Sequence, residues 1–229
     1  MRGLGVDGAG TKGWVGIVVD DAGFAAAHVS PTLVGLVELA EVDGPVDAIG
    51  VDIPIGLVDG PFRSADAACR VAVGPRRASV FPAPHPAVVH LTELAEVNEY
   101  LHGHGFPGMS MQGFRLFDRI REVAGMAGDA RLIEVFPETS FRALAGSDLA
   151  SSKKTWNGSA RRRSVLAAAS PPIVLPDALG RAGDVGTDDL LDAAAAGWST
   201  WRYAHGRADA LGDPTEVDAV TGRRIAVWV

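Results

Sequence analysis

Two periods of apolar spacing alternate along this chain. Residues 4–7 form a short apolar run, the stretch Gly8-Ala9-Gly10-Thr11-Lys12-Gly13 follows, and residues 14–20 are rich in β-branched side chains, which predicts strand, turn and strand. Turn chemistry at Asp20-Asp21-Ala22-Gly23 leads into residues 24–30, an alanine-rich third antiparallel strand. At Pro31 the period changes. Leu33, Leu36, Val37 and Ala40 recur at helical spacing, so a helix through about residue 42 is expected. Residues 46–53 are nearly continuously apolar around one acid, Asp52, as suits a central strand buried on both faces. That strand should lie parallel to the first, and three strands, a helix and a parallel fourth strand make an α/β chain with a mixed sheet.

Beyond Pro54 the pattern loosens into a segment rich in Pro, Gly and His, with helical stretches near residues 64–73, 87–100 and 112–125. Residues 132–136 form another strand around Glu134, residues 137–186 are mixed, residues 187–205 give the clearest helix, and residues 216–229 read as a hairpin turning at Thr221-Gly222. The expected architecture is one domain over residues 1–229, with insertions at about 56–130 and 137–186 after the fourth and fifth strands.

Composition narrows the function classes. Hydrophobic residues at 47% and charged residues at 21% exclude a disordered, collagenous or coiled-coil chain. A net charge of −7 works against loose adhesion to nucleic acid or an anionic membrane, so a nucleic-acid contact needs a local basic patch. The densest basic run, Lys153, Lys154, Arg161, Arg162 and Arg163, has no acid between its members. Cys69 stands alone and offers neither an internal disulfide nor a cysteine zinc site. No apolar stretch is long enough for a membrane span, and Asp7 interrupts the amino terminus before a signal peptide develops. A soluble cytoplasmic protein is expected.

The candidate chemistry lies in carboxylates. Asp7 and Asp52 fall at the carboxyl ends of two parallel strands, the edge at which open α/β sheets bind ligands. Each alone reads as a strand-end acid in its own turn. As a buried pair they repel, and a divalent ion removes the conflict. Asp188, Asp189 and Asp192 open the last long helix; Asp188 suits the helix dipole, while Asp189 and Asp192 share a face and can point toward Asp7 and Asp52. Glu134 either joins this group or pairs with an arginine. Carboxylate clusters of this kind hold two Mg²⁺ or Mn²⁺ ions for displacement at phosphorus, which predicts metal ligation by Asp7, Asp52, Asp189 and Asp192.

The stretches Gly5-Val6-Asp7-Gly8 with Trp14, Gly50-Val51-Asp52-Ile53-Pro54-Ile55-Gly56-Leu57, residues 76–82, Glu134-Val135-Phe136-Pro137-Glu138, Lys153-Lys154-Thr155 with Gly158 and Arg162, and Asp188-Asp189-Leu190-Leu191-Asp192-Ala193 together resemble the bacterial and archaeal family labelled domain of unknown function 429. The resemblance implies a ribonuclease H-like fold, a five-stranded mixed sheet flanked by helices, and nuclease activity. It matches Asp7, Asp52, Asp189 and Asp192 to the acids of Holliday-junction resolvase-type enzymes. Glu134 is carried as a further catalytic acid, and Lys12, Arg76, Lys153, Lys154 and Arg162 as contacts to a DNA or RNA substrate. Two other readings compete: a non-catalytic binding module of the same fold, and an actin-like phosphate binder using the Gly8–Lys12 turn. The five tryptophans form no stacking stripe with the basic residues, and Trp198 and Trp201 fit helical packing best.

Overall fold

The computed structural model describes residues 1–218 and 220–229. In chain order the regular elements are β1 (Gly3–Gly8), β2 (Trp14–Asp20), β3 (Gly23–Ser30), α1 (Leu33–Ala40), β4 (Ala48–Val51), α2 (Ser64–Ala72), α3 (Leu94–Gly103), α4 (Met111–Phe114), α5 (Phe117–Ala124), β5 (Leu132–Val135), α6 (Pro137–Ala145), α7 (Trp156–Ala167), α8 (Thr187–Ala204), β6 (Ala210–Leu211) and β7 (Val227–Trp228). The chain divides into two compact units, one of residues 1–52, 131–210 and 228–229, the other of residues 53–130 and 211–227.

The sheet has seven strands in the order β3-β2-β1-β4-β5-β7-β6. β2 pairs antiparallel with both β1 and β3, while β4 lies parallel to β1 and β5 parallel to β4. The sequence leads to a five-stranded sheet, whereas the sheet has seven: β1 to β5 lie where strands are expected, and β6 and β7 are added. The two further strands are two residues each, too short to leave a periodic signal.

Side-chain alternation on β1 assigns its two faces. Leu4 shares its face with α1, since the space beside Gly16 is filled by side-chain atoms of Leu4 and Leu36. Gly3 and Gly5 face α8 instead: a Cβ on Gly3 would meet the Trp201 backbone at 2.5 Å, and one on Gly5 the Gly197 nitrogen at 1.9 Å. On β4 a Cβ at Gly50, the register partner of Gly5, would meet Thr200 Oγ1 at 2.0 Å. Two residues of strand advance about 6.6 Å and four of helix about 6 Å, so steps along β1 and α8 stay matched. The helix therefore lies along the sheet with Trp201 at Gly3, Gly197 at Gly5, and its first turns opposite Asp7. This fit needs small residues, and Ala193 to Ala196 and Gly197 are all buried there.

α1 begins where Thr32 accepts a hydrogen bond from the Gly35 amide, and it buries Leu33, Leu36, Val37 and Ala40, the four positions of the expected stripe. β4 is shorter than the apolar run that predicts it, yet the Asp52 amide still donates to the Val6 carbonyl at 3.1 Å.

The second unit is mostly helical. Its core includes Val88, Val97, Leu101, Phe117, Ile120 and Val123, and Cys69 is buried in α2. Arg63 and Asp66 form a buried ion pair at 2.5 Å. The helix expected over residues 87–100 starts only at Leu94, after a separate 3-10 turn at Pro86–Val88, because the buried seam Val97–Leu101 belongs to a later turn than Val88. The stretch 112–125 is two helices, α4 and α5. Val217 and Arg224 form the antiparallel bridge expected of a terminal hairpin, in which Ala219 lies outside the described residues. No helix among the described residues is long and apolar enough to cross a membrane.

Candidate active site

Alternation that turns Gly5 and Gly50 toward α8 turns Asp7 and Asp52 the same way, two residues further along each strand. Asp7 is half-buried and its Oδ1 accepts the Gly8 amide at 2.6 Å; Asp52 is half-buried beside it, in the bend just after β4. Asp192 comes from α8 and is 1% exposed. Its Oδ2 accepts from the Lys153 ammonium, while its Oδ1 is buried with no hydrogen-bond partner.

The electrostatics follow from crowding. Burial, and after it the charges of Asp52 and Asp192, hold the Asp7 carboxyl well above its ordinary range, with Asp189 adding to the effect and Lys153 opposing it. Burial and the Asp192 charge push Asp52 up to about 8, Glu134 and Glu138 contributing and Lys153 opposing. Burial raises Asp192 to about 6 against the pull of Lys153. For Lys153 burial favours loss of the proton, but the charge and hydrogen bond of Asp192, with the charges of Asp7 and Asp52, outweigh it and raise the pKa. Lys153 is an ammonium among acids that lack enough positive charge.

The backbone that carries Lys153 is tightly placed. Thr155 caps α7 by accepting from the Gly158 amide at 3.1 Å, and Ser159 Oγ donates to the Lys153 carbonyl at 2.9 Å. A Cβ on Gly158 would lie 1.8 Å from the Ser152 carbonyl oxygen, so the loop reaches its position only over a glycine.

The other expected site residues separate. Asp189 is half-buried in the first turn of α8 and adds to the field at Asp7. Glu134 is in register with Val51, on the sheet face opposite that of Gly50, Ile133 and α8; it reaches Asp52 as a field from across the sheet. Arg162 is not a substrate contact: its side chain is fully buried, donates to both oxygens of Glu138 at 3.1 and 3.2 Å, and stacks on Phe141. A guanidinium inside the protein must be paired, and Glu138 is the partner. Lys12 donates to the Asp184 carbonyl at 2.5 Å, which ties its ammonium to a neighbouring loop. Lys154 is exposed. Arg76 is half-buried in a 3-10 turn of the second unit.

Sequence reasoning missed two features. Glu138, in the first turn of α6, is buried and raises both Asp52 and Asp192; its signal was the Pro-Glu pair that opens a helix directly after a strand. Trp156 is 86% exposed at the start of α7, on a helix that also exposes Arg161 and Arg163.

The acids offer oxygen donors of the kind that Mg²⁺ or Mn²⁺ takes. Carboxylate oxygens suit these ions, and the unpartnered Asp192 Oδ1 is an acceptor that a cation would satisfy. Among the described residues no group of three or more His, Cys, Asp or Glu side chains is arranged to hold a metal. The fit is therefore to an ion held by one or two carboxylates, with water and a substrate phosphate completing its shell, which is how Mg²⁺ is commonly held.

The family model described as "Protein of unknown function (DUF429)" matches residues 5–217, and the chain belongs to that family. No curated protein and no solved structure matches it.

Proposed function

We propose that this protein is a divalent-cation-dependent phosphodiester hydrolase of ribonuclease H-like fold acting on nucleic acid. The observation that carries this reading is the buried Asp192, one oxygen on Lys153 and the other unpartnered, beside two strand carboxylates whose pKa values are raised. The partial strand order β3-β2-β1-β4-β5, with β2 alone antiparallel to its neighbours β1 and β3, supports the fold. Bound at these acids, Mg²⁺ or Mn²⁺ supplies Lewis acidity and positive charge to a phosphodiester. Asp192, with one of the strand acids Asp7 and Asp52, would hold the ion, and the remaining acids with Asp189 add negative potential.

Charge on α7 supports a polyanionic substrate. Residues 149–176 contain no acid, and Lys154, Arg161 and Arg163 are exposed, so this stretch draws phosphates toward a chain that is negative as a whole. Trp156 adds an exposed ring on which an unpaired base can stack. The test is cleavage of single-stranded, duplex and branched DNA and RNA with and without Mg²⁺ or Mn²⁺. Activity that needs the cation and is lost in Asp7→Asn and Asp192→Asn, with both variants folded, supports the reading. Absence of both binding and cleavage on every substrate at low salt overturns it.

A further inference from the structure

We infer that the Lys153 ammonium is a built-in cation of the acid group, supplying charge that a second metal would otherwise bring, so that the site takes one divalent ion. This rests on the hydrolase reading above and fixes its metal count. Lys153 donates to Asp192 Oδ2, leaving Oδ1 as the one buried oxygen of that carboxylate without a partner. One oxygen is thus taken by a permanent charge and one is left for an exchangeable charge.

Formal charge gives the same count. Asp7, Asp52 and Asp192 ionised carry three negative charges and Lys153 one positive, leaving a deficit that a single divalent ion cancels. Asp189 adds a fourth acid at the edge, and even then a second divalent ion would leave the group net positive with an ammonium inside it. The three acids offset repulsion between the ammonium and one dication, whereas a second dication would repel both of them where water is scarce. Glu138 is not available to offset it, because Arg162 holds both its oxygens.

Lys153 is also poorly placed to follow a substrate. The Thr155 cap, the Ser159 hydrogen bond to its carbonyl and the contact of Ser152 with Gly158 fix its backbone. Its ammonium feels Asp192, Asp7 and Asp52 together. It therefore acts as a positioning residue that sets where the remaining ion can sit, and Lys154 next to it is left to meet phosphate.

The experiment is a Mn²⁺ titration of the full chain at pH 8, with free ion read by electron paramagnetic resonance and folding read by thermal melting. Wild type should bind one equivalent, Lys153→Gln two, and Lys153→Arg, which keeps a cation, one. Two equivalents in wild type, or an unchanged single equivalent in a folded Lys153→Gln, overturns the inference while leaving the hydrolase reading standing. If Lys153→Gln does not fold, the wild-type and Lys153→Arg counts decide, two equivalents in either overturning it. Asp192→Asn should lose the wild-type equivalent. No Mn²⁺ bound by wild type removes the hydrolase reading itself, and this inference with it.

Discussion

Asp52 shows how a single side chain can cost stability and carry function together. Its carboxyl titrates near 8 in the fold against an ordinary value of 3.8, through burial and the Asp192 charge, so the folded state binds the extra proton. That favours the fold at low pH, and the benefit is lost as pH rises from about 4 toward 8. Asp52→Asn removes the charge and keeps the shape. Without added metal it should raise Tm at pH 8, and by clearly less at pH 5, where only the first part of the penalty has accumulated; equal effects at both pH values would remove Asp52 from the buried group. Trp156 makes the opposite prediction, having 86% of its surface exposed. Trp156→Ala should leave Tm within a degree or two and weaken binding of a single-stranded oligonucleotide by roughly tenfold, the worth of about one stacked base. Equal loss on duplex DNA would argue against stacking.

At the scale of the element, α7 separates two roles within three consecutive arginines. Arg161 and Arg163 are exposed and Arg162 is fully buried, as a helical period of 3.6 requires when one face packs. Changing Arg161 and Arg163 together to Ala should flatten the plot of log affinity against log salt by roughly 1.5 units without destabilising the protein. Arg162→Ala strands Glu138 in the interior and should cost about 3–5 kcal/mol in urea unfolding. A charge run in the sequence carries no sign of which member turns inward, which is why Arg162 reads there as a substrate contact. Strands β1 to β5 and helices α1 and α8 were legible because each has its own period and turn residues. Asp7, Asp52 and Asp192 were legible because strand ends and a helix face are local properties. The pairing of Lys153 with Asp192 and the part played by Glu138 were not, since 39 residues separate Lys153 from Asp192 and only tertiary packing brings them together; the sequence reads Lys153 as a substrate contact. Glu134, which the sequence leaves open between the acid group and an arginine, lies one step of register from the face of α8, and in a strand one step exchanges one face for the other.

For the whole molecule the raised carboxyl pKa values have a collective effect. Asp7, Asp52 and Asp192 all shift upward, so the metal-free protein should melt at progressively lower temperature between pH 5 and pH 8. Millimolar Mg²⁺ or Mn²⁺ should restore Tm, with the largest gain at the high end of that range. A melting temperature indifferent to both pH and cation would mean that the acids are not together. The glycine contacts along β1 bear on the same point. Gly5 and Gly197 meet backbone to backbone, with no side chain between sheet and helix to deform. Such a contact is a mechanical stop rather than a spring: α8 can approach no further, and any added atom lifts it. The separation of Asp192 from the strand acids is thereby gauged at a place that bears no charge and touches no substrate. One methyl group at Gly5 should act as a shim, so Gly5→Ala, if it folds, should lose its Mn²⁺-dependent rise in Tm although every acid remains.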